Sequence, residues 1–269
     1  MIYYKRISQV TGRKLVLLHL FAKLIQPGNR CFIFEERYMN SVKRLLLSLT
    51  KFEWFLWIAS SLVIGVSYIA SPNRDVLTII DSLIGVAALI FIAKGYVFGQ
   101  ILAVVFAVLY GIIAFFCRYY GEMITYLCMT APIAVLTAIA WIKHPYKDSN
   151  EVEVSRVSKG QILVMSALTV AVTVVFYFIL SALGNENLFV STFSVTTSFV
   201  ACYLSLLRSP YYAIAYVVND LVLVVLWSLA ARADIAYLPM VFCFLMFFIN
   251  DIYGFVNWLK IQRAQQLGV

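Results

Sequence analysis

Eight stretches of about twenty residues each, nearly free of charge, recur along this chain with the polarity period of a helix. They are expected to span a membrane at 54–71, 76–93, 96–117, 122–142, 161–182, 188–207, 211–231 and 236–258. Helical periodicity favours a bundle over a barrel, because only a helix satisfies every backbone group within one span. Of the 269 residues, 63% are hydrophobic and only 13% charged, about half the charge of a soluble domain. The first long apolar run lies far from the N-terminus and lacks a small-residue cleavage pattern, so no removable signal peptide is expected.

The net charge of +8 could point to nucleic acid, but its placement is topogenic. With a cytoplasmic N-terminus and eight crossings, eighteen of the 21 Lys and Arg fall on the cytoplasmic side, leaving Arg74, Arg118 and Arg232 outside. Both termini are then cytoplasmic. Ten of the basic residues precede residue 54, where Arg13–Ile25 and Tyr38–Phe52 read as helices lying on the membrane surface. Residues 143–160 are the one long polar break after residue 53 and divide the spans into halves. The pairs Lys94/Arg208 and Arg118/Arg232 are each 114 residues apart, and Trp141 and Trp258 are 117 apart. An even number of crossings between equivalents makes this a parallel repeat. The expected organisation is an interfacial arm (1–53), an extra leading helix (54–75), a first three-helix repeat (76–142), a linker and connector helix (143–187), a second repeat (188–258) and a cytoplasmic tail (259–269). Pro132 should bend the fourth span unless neighbours satisfy the carbonyl it frees.

Five cysteines without C-x-x-C spacing, and only His19 and His144, point to buried thiols rather than a metal or disulfide framework. No Ser/His or Cys/His pair, Walker motif or phosphate loop appears, so neither an enzyme nor a cofactor is expected. Polarity is concentrated elsewhere. Asp81, Asp220 and Asp251 lie within spans, the last two near mid-depth beside Asn219 and Asn250. For Asp81 a structural hydrogen bond is expected. By helical spacing Tyr216, Asn219, Leu223 and Trp227 share one face, as do Met246, Asn250, Tyr253 and Asn257. An amide flanked by aromatic rings suits a planar, polar organic solute, the rings stacking while the amide reads donors and acceptors. Gln100, Phe106 and Tyr110 are the corresponding region of the third span. The sixth adds Ser191, Thr192, Ser194, Thr196, Thr197 and Ser198, either lining a cavity or joining helices. The candidate substrate residues are therefore Asn219, Asn250, Tyr216, Trp227, Tyr253, Gln100, Tyr110, Thr197, Asp220 and Asp251; amides that merely bond neighbouring helices are the alternative.

Ala93-Lys-Gly95 before the third span, Arg118-Tyr-Tyr-Gly-Glu122 after it, and the Asn219/Asn250 hairpin resemble the PnuC family of bacterial vitamin transporters over roughly residues 75–260. The resemblance implies a seven-helix core of three plus one plus three, related to the SWEET proteins, here with an added leading helix. It implies facilitated diffusion of a nicotinamide riboside-like vitamin or nucleoside, with a cytoplasmic kinase trapping the product; related branches carry thiamine, riboflavin or deoxynucleosides. The family's Trp four residues before its Asn is Ala215 here, with Tyr216 adjacent, and the first-half Asn is Phe106. These departures bring another vitamin or a nucleoside into contention. Flux independent of membrane potential is expected; Asp220 and Asp251 keep proton coupling open. A membrane-embedded enzyme using those two acids, and a substrate-capture subunit serving an ATPase, are the readings from other classes. A homo-oligomer is compatible with the sequence.

Overall fold

A computed structural model describes residues 45–72, 75–117, 119–147, 149–185 and 187–268. The surface helix expected at Arg13–Ile25, residues 38–44 of the one expected at Tyr38–Phe52, and the border charges Arg74 and Arg118 lie outside the described residues. The chain divides into units Met1–Lys51 and Phe52–Val269. In the first, residues 45–47 are helical. The second contains the bundle.

Eight helices among the described residues are long and apolar enough to cross a membrane: α1 (Lys51–Ala70), α2 (Val76–Ala93), α3 (Val97–Phe116), α4 (Tyr120–Lys143), α5 (Lys159–Ala182), α6 (Leu188–Leu206), α7 (Tyr211–Ala233) and α8 (Leu238–Leu267). Each agrees with an expected span to within a few residues at its start. Local signals set several of those starts. The Asp75 carboxylate accepts the Leu77 and Thr78 amides at the head of α2, and Ser158 with Gln161 forms a capping box on α5. In α4, Pro132 has no amide to donate, and a π-helical stretch, Thr125–Thr130, precedes it. There the Ala131 amide reaches back to the Tyr126 carbonyl. The local response to the proline is thus one wide turn inside a continuous span.

Polarity is distributed inside out. Leu62, Leu163, Val170 and Phe178 stand more than 60% exposed on α1 and α5, whereas Glu53, Glu122, Asn219, Asp220, Asn250 and Asp251 are buried. A surface this apolar is stable only against lipid. The chain is a multi-pass membrane protein. Helices α2, α3, α4, α6, α7 and α8 form the packed body; α5 rests mainly on α6 and buries little more than Phe176 and Leu180.

Helices α2 and α6 end in the same way. The chain leaves α2 through Gly95 (φ 71°) and leaves α6 through Arg208 (φ 58°), both left-handed. In the first cap Tyr96 N–H donates to Phe91 O at 3.0 Å and Gly95 N–H to Ile92 O at 2.8 Å. In the second, Ser209 N–H donates to Leu204 O and Arg208 N–H to Ser205 O, both at 3.0 Å. Both are Schellman closures. The linker reads both: Val152 N–H donates to Gly95 O at 2.9 Å and Ser155 N–H to Arg208 O at 3.0 Å. Partial burial pushes the Glu151 carboxyl above its usual range, with nearby Lys94 opposing.

Helix α8 runs beyond residue 258, where the expected span ends, to Leu267. Its extension is fastened to the linker by Gln265, whose Oε1 accepts the Val154 amide at 2.8 Å while Nε2 donates to Val152 O at 3.0 Å. The end of the bundle carrying residues 94–96, 144–158 and 207–210 is called the linker end below.

Candidate functional site

A cavity of about 80 Å³, counted as the space open to the centre of a water molecule, lies at the heart of the bundle. Helices α2, α3, α4, α6, α7 and α8 all contribute to its wall, and α1 and α5 do not. Its polar lining comprises Gln100, Thr130, Thr137, Ser198, Cys202, Ser205, Tyr212, Tyr216, Asn219, Asp220 and Asp251, facing Phe106, Tyr126, Phe244 and Phe247.

Asn219 is the most firmly oriented of these. Its Oδ1 accepts Thr197 Oγ1 at 2.8 Å and Ser198 Oγ at 2.9 Å, so the hydroxyls of α6 fix the amide of α7. The Tyr216 hydroxyl meets Cys202 Sγ at 3.2 Å. Gln100 Nε2 donates to Ser205 Oγ at 3.2 Å, joining the halves across the cavity. Asp220 and Asp251 lie close together at the α7–α8 interface, and Asp220 Oδ2 meets no donor.

Five of the ten candidate residues therefore line the cavity: Gln100, Tyr216, Asn219, Asp220 and Asp251. Thr197 stands behind Asn219. Tyr110 and Trp227 form the layer beyond Phe106 and Tyr126, with Trp227 Nε1 donating to the Tyr110 hydroxyl at 3.0 Å. Tyr119 and Tyr237 pack on Trp227 and complete an aromatic stack toward the end opposite the linker. Asn250 and Tyr253 point elsewhere. Asn250 Nδ2 donates to Ser60 Oγ of α1 at 3.0 Å, and the Tyr253 hydroxyl donates to Glu53 Oε1 at 2.8 Å. Helical geometry explains the division, since neighbours are turned about 100° apart. Phe244, Phe247 and Asp251 occupy the cavity face of α8, so Asn250 and Tyr253 meet α1.

That second face is polar too. Glu53, 1% exposed, is held by Lys94 Nζ at 3.3 Å from each carboxylate oxygen and by Tyr253. Replacing Glu53 with Gln removes the counter-charge in contact with Lys94, leaving only Glu151 nearby. A buried pair broken this way costs several kcal/mol, and the nearness of Lys94 to the membrane border reduces that. The expected loss is about 1–2 kcal/mol, read as a lower melting temperature in detergent.

At the linker end two tryptophans join the helices in matching ways. Trp141 Nε1, on the last helix of the first half, donates to Ser205 O on the first helix of the second half at 3.0 Å. Trp258 Nε1, on the last helix of the second half, donates to Ile92 O on the first helix of the first half at 2.8 Å. Their ring centroids are 5.3 Å apart.

Two buried acids behave differently from expectation or escape it. Asp81 Oδ1 meets no donor, in place of the structural hydrogen bond expected there. Glu122, 3% exposed, accepts Ser194 Oγ at 3.3 Å. It stands at the first residue of an expected span and was not among the candidate residues. No group of three or more His, Cys, Asp or Glu that could hold a metal occurs among the described residues.

A family model described as nicotinamide mononucleotide transporter matches residues 75–260, the whole of α2 through most of α8. The chain belongs to this family. Nicotinamide riboside transporter PnuC of Neisseria mucosa is 25% identical over 204 residues, covering 74% of this chain and 77% of its own length. The PnuC of Haemophilus influenzae is 22% identical over 212 residues, covering 77% and 90%. A crystal structure of the vitamin B3 transporter PnuC superposes with a TM-score of 0.70 at 23% identity, covering 81% of this chain and 94% of that one. The fold is therefore that of PnuC, and the protein is a transporter of this family rather than an enzyme. Helix α1, which takes up Asn250 and Tyr253, precedes the region matched by the family.

Proposed function

We propose that this PnuC-family chain mediates facilitated diffusion of a nicotinamide riboside-like vitamin or a nucleoside, with both termini in the cytoplasm and a cytoplasmic kinase trapping the product. One observation carries the reading. An amide fixed by two hydroxyls, Asn219, lies beside Tyr216 in a central cavity walled by six helices. With Oδ1 engaged by Thr197 and Ser198, the amide NH2 is the end offered to a solute carbonyl or ring nitrogen, and Tyr216, Phe106 and Phe247 supply flat apolar surface for its ring.

In this reading the cavity is occluded, with a door at each end. Trp141 and Trp258 form the door at the linker end, and Tyr110 with Trp227 the other. Each is an inter-half contact that a rocking motion of one half against the other would break. Asn250 and Tyr253 bind α1 rather than solute, so the substrate contacts narrow to Gln100, Tyr216, Asn219, Asp220 and Asp251.

The test is uptake by purified protein in liposomes, using labelled nicotinamide riboside, nucleosides, thiamine and riboflavin. Saturable uptake of one of them that ends at equal concentrations inside and outside is expected. Accumulation driven by a pH gradient would replace facilitated diffusion with proton coupling. No flux of any of them without another subunit would favour a substrate-capture component.

A further inference from the structure

A second, larger hollow opens at the end of the bundle opposite the linker. It measures about 700 Å³, counted as for the central cavity, which at about 80 Å³ is contracted beside it. Pockets that hold small organic ligands span about 300–1,000 Å³. The hollow therefore already has room for a solute of vitamin or nucleoside size, whereas the cavity gains that room only when its helices part. Among the described residues five helices wall it, through Tyr68 of α1, Thr78 of α2, Ile113 of α3, Trp227 of α7 and Met240 of α8. Its mouth holds the exposed Asp75 and Asp234, and its floor is the buried indole of Trp227. About two turns of α7 separate Trp227 from Asp234, which makes the hollow about 10 Å deep. The partition below it is thin. Trp227 Nε1 donates to the Tyr110 hydroxyl at 3.0 Å, and the Tyr110 ring centroid lies 4.1 Å from that of Tyr126, which lines the central cavity. On α8, Met240 lines the hollow and Phe244, one turn on, lines the cavity. Hollow and cavity are thus in line along the bundle, with Tyr110 and Trp227 between them.

The mouth carries acceptors that the backbone holds in place. Asp234 Oδ1 accepts the Ala236 amide at 2.9 Å, and Asp75 accepts the Leu77 and Thr78 amides. A carboxylate has about four acceptor positions, so each keeps some for a guest. Tyr237 packs on Trp227 with ring centroids 5.7 Å apart, and with Tyr68 these rings supply flat apolar surface. We propose that this hollow is an outer binding site, where a planar, hydroxyl-bearing solute docks above the Tyr110–Trp227 door before it is admitted to the central cavity. The solute's ring lies against Tyr237 and Trp227, and its hydroxyls donate to Asp234 and Asp75. Tyr68 belongs to α1, which precedes the region matched by the family, so this chain builds part of the site from a helix outside that region. That the hollow feeds the Asn219 cavity rests on the substrate site proposed above; that it binds solute does not.

Cys117 lines the hollow and is half-buried, which makes its thiol a reporter. Purified protein is treated with a small maleimide, and alkylation of Cys117 is followed by peptide mass spectrometry with and without nicotinamide riboside, thymidine, thiamine or riboflavin. Thermal stabilisation of the same samples reports binding anywhere in the protein. Asn219→Leu disables the central site and leaves the lining of the hollow unchanged. The expected result is that one of the four solutes slows alkylation of Cys117 in wild type and in Asn219→Leu alike, about fivefold at four times its Kd. Protection is lost in Tyr237→Ala and in Asp234→Asn; asparagine retains the helix cap, so the second loss isolates the acceptor. Protection of wild type that is absent from Asn219→Leu arises in the central cavity, which overturns the outer site and leaves the cavity's assignment standing. Thermal stabilisation without protection has the same meaning, and protection that both Tyr237→Ala and Asp234→Asn retain also overturns the outer site. Neither stabilisation nor protection by any of the four solutes removes both sites. Should Tyr237→Ala not fold, Tyr68→Ala takes its place.

Discussion

Asn219→Leu is expected to reduce uptake by about 100-fold while the protein still folds and inserts. Leucine is close to asparagine in shape, so the cavity wall keeps its volume. The hydroxyl of Thr197 has other acceptors within reach, the carbonyls of Phe193 and Ser194 at 3.0 Å, so of the two hydroxyls only that of Ser198 gives up its acceptor. What disappears is an amide already aligned before the solute arrives. A solute group that gives up water to enter the cavity then finds no partner, a loss of about 1–3 kcal/mol. Asn250→Leu is the informative comparison. That side chain donates to Ser60 and lies outside the cavity, so its loss should weaken the seat of α1 and lower the melting temperature without changing substrate affinity. If Asn219→Leu transports at the wild-type rate, Asn219 is not a substrate residue and the assignment of the cavity fails with it.

The contrast between these two amides shows what the sequence carried and what it did not. Eight spans were legible because an apolar run long enough for the bilayer has one stable conformation there. The same-face groupings on α7 and α8 were legible too, since helical spacing alone sets which side chains share a direction. Which neighbour a face meets is a tertiary fact. Asn250 and Tyr253 do share a face, but it is turned toward α1, a helix preceding the family's matched region and marked by Glu53 and Ser60, two polar residues that read as unremarkable near a membrane border. Asn219 and Asp251 face the cavity instead because the aromatic residues sharing their faces, Tyr212 and Tyr216 on α7 and Phe244 and Phe247 on α8, pack inward.

The linker is the other part that composition concealed. Lys143 to Gly160 reads as a solvated break, yet its backbone caps α2 through Gly95 and α6 through Arg208, and Gln265 holds it from the far side. Those contacts are made by main-chain groups, which leave no trace in a hydropathy profile. They also explain why α8 continues past Trp258: a polar helical turn in water has little stability alone, and docking against the linker provides it.

Gly99→Ala is expected to have the largest structural effect of any single methyl group added to the bundle. A Cβ built at Gly99 would lie 2.4 Å from the Ile92 amide nitrogen, 2.7 Å from Ile92 Cγ1 and 2.8 Å from the Ala88 carbonyl oxygen. Two of these are backbone atoms of α2, so no side-chain rotation relieves the clash, and α2 and α3 must separate. Overpacking of this kind costs about 1–3 kcal/mol where side chains can yield, and here the upper end or beyond is expected. Function should fall with stability, because Ala88 and Ile92 line the cavity and Ile92 O accepts the indole of Trp258. Moving Ile92 therefore loosens one of the two tryptophan bonds that close the linker end. Gly65→Ala is the matched control, since nothing lies within 4 Å of a Cβ there; removing a glycine from the middle of α1 should be neutral or stabilising by about 0.5–1 kcal/mol. Melting curves of the two variants in detergent, with substrate binding on the same samples, separate the outcomes. A Gly99→Ala protein as stable as Gly65→Ala would mean that α2 and α3 do not approach backbone to backbone, and the closed cavity they help to enclose would lose its physical basis.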